Sequence, residues 1–253
     1  MDDYFAIPAE SNSSLGWLYK SPRYYKWMKD TGGPEPTAAM NEGSVVHCLI
    51  LEPDEFDNRY WVFDKEERPD RSKTMSAKDN KEWAAALEAQ NDGKEKITKE
   101  QYLNLQNVAQ EVMFVAGDLI EAATEKEKVV LWKKSGIDMK AKIDGWHEDF
   151  LFDIKTTTNA SVEAFQRKAF WEYQYHRQAA VYLDGASDGM FLDDKDFYFI
   201  AAEKSPPYLV SVHKVSSHMV GLGMNQYIEL LELLKECREK DYWPHTITKI
   251  NEW

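Results

Sequence analysis

Residues 140–161 read KAKIDGWHEDFLFDIKTTTNAS, and this stretch contains the most informative pattern of the chain. Its short apolar or alternating runs are typical of β-strands, and His147-Glu148-Asp149 separates two of them. Residues i and i+2 of a strand point to the same side, so Asp153 and Lys155 are expected to project together while Ile154 enters the core. The stretch therefore predicts a carboxylate beside an ammonium at the end of a buried strand.

A second carboxylate, Asp144, precedes Asp153 on the neighbouring strand. If the two strands pair as a hairpin, these side chains come close together, which is costly unless a cation or a proton compensates them. Mg²⁺ prefers hard oxygen ligands, so the pattern predicts a magnesium site in which Mn²⁺ can substitute, with Lys155 orienting or deprotonating the attacking water. A lone Asp-X-Lys is more often a surface ion pair, so the tripeptide alone leaves both interpretations open.

The segments before this stretch are mainly helical in pattern. A serine pair followed by Ser21-Pro22 predicts two short helices over residues 13–29, because proline is favoured in the first turn of a helix. An apolar pattern predicts a helix over residues 38–51, which contains His47 and stops before Pro53. Residues 65–96 are polar and predict a mobile excursion around a helix at about 77–90. Thr98 with Gln101 forms a capping box before a helix at about 99–123.

From Lys128 the period changes to that of strands, which predicts a three-stranded meander, a helix at about 161–183 and two further strands near 196–202 and 208–215. A helix from about 217 to 239 follows. The expected fold class is α/β or α+β, with a central mixed sheet flanked by helices. We expect one domain over residues 1–253, with a helical part at about 1–125, a sheet core at about 126–215 and a C-terminal helical part at about 217–253.

Composition restricts the class of protein. The 253 residues are 43% hydrophobic, which is enough for an ordinary core, and the two cysteines, Cys48 and Cys237, lack the spacing of a metal or redox site. A reducing, cytoplasmic compartment is the expectation, and no apolar run is long enough to span a membrane. The net charge of −13 argues against DNA binding through overall charge, although a local basic groove and bound metal ions can meet that need.

At this point the sequence resembles the PD-(D/E)xK nuclease superfamily, and within it the phage and prophage exonucleases of the exonuclease VIII (RecE) C-terminal type. The resemblance covers about residues 13–185, and its motifs occur in the expected order. Four blocks carry it: SSLGWLYKSPRYYKWMK, EGSVVHCLILEPDEFDNRYWV, KAKIDGW with DFLFDIKTTTNAS, and YQYHRQAAVYLDG. One departure is Ile143, where relatives often carry proline before the aspartate.

The resemblance implies a restriction-endonuclease-like core and a set of site residues. It implies that His47, Asp144, Asp153 and the Ile154 carbonyl ligate metal, with two ions per site, and that Lys155 is catalytic. Two further residues, Gln178 and Tyr182, match a motif that lies near the active site and the DNA. Support around the site or DNA contact is expected from Ser21, Arg23, Lys142, Thr156 and Arg177. Trp171, Tyr173 and Tyr175 offer stacking surfaces for unpaired bases, although packing is the commoner role of aromatic residues.

The resemblance also implies a function and partners. The expected activity is digestion of linear double-stranded DNA, 5′ to 3′, leaving 3′ single-stranded overhangs for recombination by strand annealing. Expected partners are DNA ends, further copies of the chain in a ring of three or four, and a phage annealing protein of the RecT type. The resemblance implies a phage or prophage protein that acts in the bacterial cytoplasm.

Two other functions remain open from the sequence. A structure-specific or single-strand endonuclease of the same fold, resembling Cas4, would usually carry cysteines for an iron-sulphur cluster, and two distant cysteines cannot supply four ligands. A catalytically silent DNA-binding or DNA-mimic protein would fit the net charge of −13, but such a protein has no evident use for Asp144, Asp153 and Lys155 together.

Overall fold

The computed structural model describes residues 2–35, 37–190 and 195–245, in which helices surround a mixed β-sheet. The helices are α1 (Asp2–Ala6), α2 (Asn12–Lys20), α3 (Pro22–Thr31), α4 (Ala38–Leu51), α5 (Phe56–Arg59), α6 (Lys78–Gln90), α7 (Lys99–Ala122), α8 (Val162–Trp171), α9 (Tyr175–Ala186) and α10 (Ser217–Lys240). The strands are β1 (Tyr60–Phe63), β2 (Glu95–Thr98), β3 (Glu125–Lys134), β4 (Ile137–Trp146), β5 (Phe150–Thr157), β6 (Asp196–Glu203) and β7 (Val210–Lys214).

The main sheet has five strands in the order β3-β4-β5-β6-β7. The first three form the predicted antiparallel meander, β6 pairs parallel to β5, and β7 pairs antiparallel to β6. Helices α8 and α9 form the crossover between the parallel strands, as a parallel pair requires. The predicted fold class, a mixed sheet flanked by helices, is confirmed.

Local capping explains why the helices start where the sequence predicts. The Ser21 hydroxyl accepts a hydrogen bond from the backbone N–H of Tyr24, and Pro22 occupies the first turn of α3. Thr98 and Gln101 form the predicted capping box at the start of α7. These side chains satisfy backbone N–H groups that have no partner within the helix. Helix starts are therefore encoded locally in this chain.

One predicted helix is corrected by the structure. The single helix expected at 161–183 is two helices, because Gln174 adopts a left-handed conformation with φ 54° and breaks it. The helix expected at about 217–239 is observed as Ser217–Lys240, and it ends where Asp241 is also left-handed with φ 43°, so the helical part expected to extend to 253 does not include residues 241–245. Residues 246–253 of that prediction lie outside the described residues.

The N-terminal part is not purely helical, because β1 and β2 form a parallel pair that the sequence analysis missed. This pair brackets the polar excursion that was expected to be mobile. Within the excursion, the buried Asn80 amide donates hydrogen bonds to the backbone carbonyls of Asp70 and Thr74. The excursion is thus tied to α6 by defined contacts in spite of its polar composition.

The sheet separates two hydrophobic cores. On one face α2, α9 and α10 pack on the sheet, and on the other α4 and α7 do so. Alternation along β5 sends Leu151 to the first core and Phe152 and Ile154 to the second. A strand covered on both faces reads as a nearly continuous apolar run, which explains the sequence FLFDI. Among the described residues, no helix combines the length and hydropathy needed to cross a membrane.

Close packing of α9 on α10 depends on one glycine, and this yields a test of stability. A Cβ atom on Gly223 would lie 2.0 Å from the backbone oxygen of His176, whereas one on Gly221 would meet nothing within 4 Å. We expect Gly223→Ala to lower the free energy of unfolding by about 3 kcal/mol, because the two helices must separate. Gly221→Ala is expected to raise it by about 0.5 to 1 kcal/mol through helix propensity. Urea unfolding followed by circular dichroism measures both, and equal effects would contradict the close contact.

Candidate active site

Asp144 lies where β4 and β5 stop pairing. The ladder between these strands contains Trp146 with Leu151 and Gly145 with Phe152, and it ends there. The buried Asp144 carboxylate then accepts a hydrogen bond from the backbone N–H of Ile154, with 2.7 Å between Oδ2 and N. A side chain thus replaces a backbone carbonyl as the acceptor, which fixes the carboxylate at the point where the strands diverge.

The two side chains of the Asp-Ile-Lys sequence face the same side, as predicted. Lys155 Nζ lies 2.6 Å from Asp153 Oδ2, and Gln178 donates a hydrogen bond of 2.5 Å to Asp153 Oδ1. The Oδ2 atom itself is buried and receives no hydrogen bond of ordinary geometry among the described residues. Asp153 is therefore a buried carboxylate with one oxygen still able to coordinate a cation.

The environment of Asp153 disfavours its negative charge. Burial raises the pKa of this carboxyl group to about 6, the ammonium of Lys155 opposes that rise, and the nearby charge of Asp144 adds to it. Two carboxylates held close together form a place where a cation is strongly stabilised. The electrostatic expectation drawn from the sequence therefore agrees with the geometry.

His47 reaches the same place from α4. Its Nε2 lies 2.9 Å from the Ile154 carbonyl oxygen, and its Nδ1 lies 3.4 Å from Asp144 Oδ2. Neighbouring ligands of an octahedral ion with bonds of about 2.1 Å are about 3 Å apart, so the separation of Nε2 from the carbonyl oxygen also suits two ligands of one ion. The structure brings together His47, Asp144, Asp153 and the Ile154 carbonyl, the four groups that the family resemblance implied.

Glu127 is a further acidic residue at this site, and the sequence analysis missed it. Its Oε1 lies 3.8 Å from His47 Nδ1, and its other oxygen is ion-paired with Lys142. The ligand atoms of His47, Glu127 and Asp144 all lie within 4.8 Å of one another. Glu127 has φ 53°, a conformation that non-glycine residues rarely adopt. Such strain is commonly found where a side chain is held for function.

The register of the β3–β4 hairpin contains the signal that would have identified Glu127. Lys134 pairs with Ile137 across the turn at Ser135-Gly136, and Lys126 pairs with Gly145 at the other end. Counting along this ladder sets Glu127 opposite Asp144. Turn position and hairpin register were therefore sufficient to predict the proximity, although not the backbone conformation.

These groups fit a divalent cation. Carboxylate oxygens, a backbone carbonyl and an imidazole nitrogen form a donor set in which hard oxygen atoms predominate. Asp153 Oδ2 lies 2.6 Å from the Lys155 ammonium and accepts no hydrogen bond of ordinary geometry among the described residues. The structure thus contains a candidate centre for a divalent metal ion, built from residues of α4, β3, β4 and β5.

Lys155 remains cationic in the environment that the chain supplies. Partial burial disfavours the charge, but the carboxylates of Asp153 and Asp144 outweigh it, so the pKa of the ammonium is raised above its ordinary value. A protonated lysine orients a water molecule and stabilises negative charge on a phosphate, whereas a general base must first lose its proton. Orienting water and stabilising charge therefore suit Lys155 better than acting as a general base.

His47, Glu127, Ile154 and Lys155 line a cavity of about 570 Å³, and the buried Asp144 and Asp153 lie directly behind this wall. Thr156, which was predicted as a supporting residue, lies in its wall together with Thr157 and Thr158. The cavity also contains Tyr173 and Tyr175 from the α8–α9 connection. It is large enough for a phosphodiester and an adjoining nucleotide.

Gln178 and Tyr182 share one face of α9, as their spacing predicts. Gln178 bonds to Asp153, while the Tyr182 ring packs on Phe197 with 6.0 Å between ring centroids. Burial raises the pKa of Tyr182 well above its usual value, and the charges of Asp153 and Asp144 act in the same direction. Both residues therefore lie beside the carboxylates, and Gln178 sets the orientation of one of them.

Four other predicted residues lie elsewhere or have different contacts. Ser21 caps α3, and Arg23 is exposed outside the cavity. Lys142 points to Glu127 rather than outward. Arg177 is only 2% exposed and donates hydrogen bonds to Asn12 and Gln226, so it supports helix packing.

Comparison with solved structures finds one that shares this fold over most of the chain. A solved structure, the "Putative exonuclease" of Eubacterium rectale, is similar over 96% of this chain and 87% of its own, with a TM-score of 0.64 and 12% sequence identity. The alkaline exonuclease LHK-Exo of Laribacter hongkongensis matches 75% of this chain and 100% of its own, with a TM-score of 0.30 and 16% identity. No curated protein matches the chain.

The family model provides the broader assignment. It is described as a PDDEXK-like domain of unknown function (DUF3799), and it matches residues 11–252, which include every block of the resemblance and every residue of the candidate metal centre. Since this match extends over almost the whole chain, the protein belongs to the PDDEXK-like family DUF3799 and has the fold of the PD-(D/E)xK nucleases.

Proposed function

We propose that this protein is a magnesium-dependent exonuclease that digests linear double-stranded DNA in the 5′ to 3′ direction and leaves 3′ overhangs for strand annealing. One observation carries the proposal. Asp144 and Asp153 contact His47, Ile154 and Lys155, which line a cavity large enough for a phosphodiester. A structural neighbour carries the name "Putative exonuclease", which supports digestion from a DNA end. The 5′ to 3′ direction is proposed from the family resemblance.

The chain's own residues have separate roles in this reaction. Asp144, Asp153, His47 and the Ile154 carbonyl would hold two Mg²⁺ or Mn²⁺ ions, with Glu127 beside them. Bound divalent ions supply Lewis acidity that stabilises charge developing on the phosphate oxygens. Lys155 orients the attacking water and stabilises the same charge. Gln178 keeps Asp153 in position through its hydrogen bond of 2.5 Å.

The proposal includes partners. A ring of three or four copies would place DNA in a central channel, where local charge can differ from the overall net charge of −13. An exonuclease that exposes 3′ strands produces the substrate of a RecT-type annealing protein, so such a protein is the proposed partner. The proposed ring and the proposed annealing partner both depend on the exonuclease activity.

End-labelled DNA provides the test. Linear duplexes labelled at the 5′ or the 3′ end are incubated with the protein and Mg²⁺, with closed circular DNA and metal-free reactions as controls. We expect early loss of the 5′ label, retention of the 3′ label, intact circles and no digestion without metal.

Other outcomes have defined meanings. Early loss of the 3′ label would reverse the proposed direction, while cleavage of circles would replace the exonuclease by an endonuclease. If no substrate is cleaved with Mg²⁺ or Mn²⁺, the proposed nuclease activity is contradicted and a DNA-binding protein is favoured.

A further inference from the structure

Two exposed aromatic side chains lie where α8 ends and its connection to α9 begins: Trp171 is the last residue of α8, and Tyr173 lines the active-site cavity. Trp171 is 72% exposed and Tyr173 is 47% exposed. Tyr173 and Tyr175 line the cavity itself. Large exposed aromatic groups beside a site commonly mark a binding surface. None of the catalytic roles described above uses Trp171 or Tyr173.

A series of contacts connects this rim to the catalytic lysine. Lys155 Nζ lies 5.0 Å from the centroid of the Tyr175 ring, and Tyr173 stacks on Tyr175 with 5.2 Å between centroids. The Tyr175 ring also stacks on Phe199, a core residue, with 5.0 Å between the ring centroids. Tyr173 is therefore the exposed end of a stack that begins in the core and passes the catalytic site.

The connection that carries these rings is held in one conformation. Gln174, between Tyr173 and Tyr175, is buried and has the left-handed φ of 54°. Its amide nitrogen donates to the carbonyls of Phe170 and Trp171, and its amide oxygen accepts from Gln226 of α10. A strained residue with three hydrogen bonds indicates that the loop is built to present its neighbours. The rings therefore face solvent without the entropy cost of ordering a loose loop.

Positive charge accompanies the aromatic surface. Arg167 is exposed on α8 and lies four residues before Trp171, so both occupy one helix face. Lys168 donates to the hydroxyl of Thr158, which lines the cavity. Sequence-tolerant binding of single strands combines such basic groups, which contact phosphates, with aromatic rings on which bases stack. The two kinds of group occur together at this rim.

We propose that Trp171 and Tyr173 form a stacking platform that receives unpaired bases of a single DNA strand and directs its backbone toward Lys155. The inference rests on the proposed nuclease function and extends it to the substrate: a segment of unpaired nucleotides, of any sequence, occupies the cavity rim during binding. Arg167 and Lys168 contact its phosphates.

Binding measurements in a cleavage-deficient protein test the platform. In a Lys155→Ala background, Tyr173→Ala and Trp171→Ala are compared for affinity toward a duplex with a single-stranded tail that carries 2-aminopurine, and toward a blunt duplex. Each loss of a ring is expected to weaken binding of the tail about tenfold and to reduce the quenching of 2-aminopurine, with a smaller effect on the blunt duplex. Tyr173→Phe keeps the ring and is expected to restore both.

Phe114→Ala provides the matched control. Phe114 is 86% exposed on α7 and lies outside the cavity lining, so its loss removes an equally accessible ring without touching the rim. We expect unchanged tail binding. Equal affinities and quenching for Tyr173→Ala, Trp171→Ala and Phe114→Ala would overturn the platform. Its failure is distinguishable from failure of the nuclease function, which the end-labelling assay of the unmodified protein reports separately.

Discussion

Lys155→Ala is expected to lower the rate of DNA cleavage by about a thousandfold, the typical contribution of one positioned proton-transferring or charge-stabilising group. The side chain lies 2.6 Å from Asp153 Oδ2 in the wall of the cavity. Its ammonium is the group placed to orient water and stabilise charge on phosphate, and alanine supplies neither function. Single-turnover cleavage of a labelled duplex at saturating Mg²⁺ measures the effect.

A second measurement separates catalysis from binding and folding. DNA affinity of Lys155→Ala and its thermal unfolding should remain close to those of the unmodified protein. Lys214→Ala is the control, because Lys214 is an exposed lysine on edge strand β7 that also pairs with an aspartate, Asp196. Full cleavage by Lys155→Ala would remove Lys155 from the catalytic machinery. Loss of DNA binding along with cleavage would assign it to substrate binding instead.

Asp144→Asn is expected to weaken Mg²⁺ binding by about 100-fold or more, since loss of even an outer partner of a metal ligand costs about 10- to 100-fold. Asparagine removes the charge but retains an oxygen that can accept the hydrogen bond from Ile154 N–H. In the unmodified protein this nitrogen lies 2.7 Å from Asp144 Oδ2. The fold should therefore persist. Isothermal titration calorimetry with Mg²⁺ or Mn²⁺ measures affinity directly and does not depend on activity.

The same titration tests Glu127. Because Glu127 already pairs with Lys142 and lies 3.8 Å from His47, Glu127→Gln is expected to weaken metal binding less than Asp144→Asn, by about tenfold. The matched control is Asp196→Asn, since Asp196 is a half-buried aspartate of β6 that is paired with Lys214. Unchanged affinity in Asp144→Asn would contradict the metal centre, and unchanged affinity in Glu127→Gln alone would restrict it to the other ligands.

Several features of the fold were predictable because their causes are local. Ser21 with Pro22, and Thr98 with Gln101, satisfy backbone groups a few residues away, so they define helix starts without reference to the rest of the molecule. The break at Gln174 was not predictable in this way. Its left-handed conformation is stabilised by Gln226, which lies on α10 and is distant in sequence.

The parallel pairing of β1 with β2 was missed for a similar reason. These strands of four residues each are too short to show a clear period, and their partners are separated by the polar excursion with α6. Asn80, buried beneath that excursion, reads in the sequence as an ordinary polar residue. Its burial depends on the three backbone carbonyls that its amide contacts.

The sequence by itself determined that the candidate catalytic side chains of β5 share one face, because the period of two in an extended strand is a local property that places Asp153 and Lys155 on one side. Together with the family resemblance, it also selected His47, Asp144 and Gln178. Only the tertiary structure decided how these groups meet. His47 reaches the carbonyl of Ile154, 107 positions away, and Glu127 joins the centre through the β3–β4 register and a left-handed backbone. Such contacts depend on how α4 and the strands pack, and packing is a property of the whole chain.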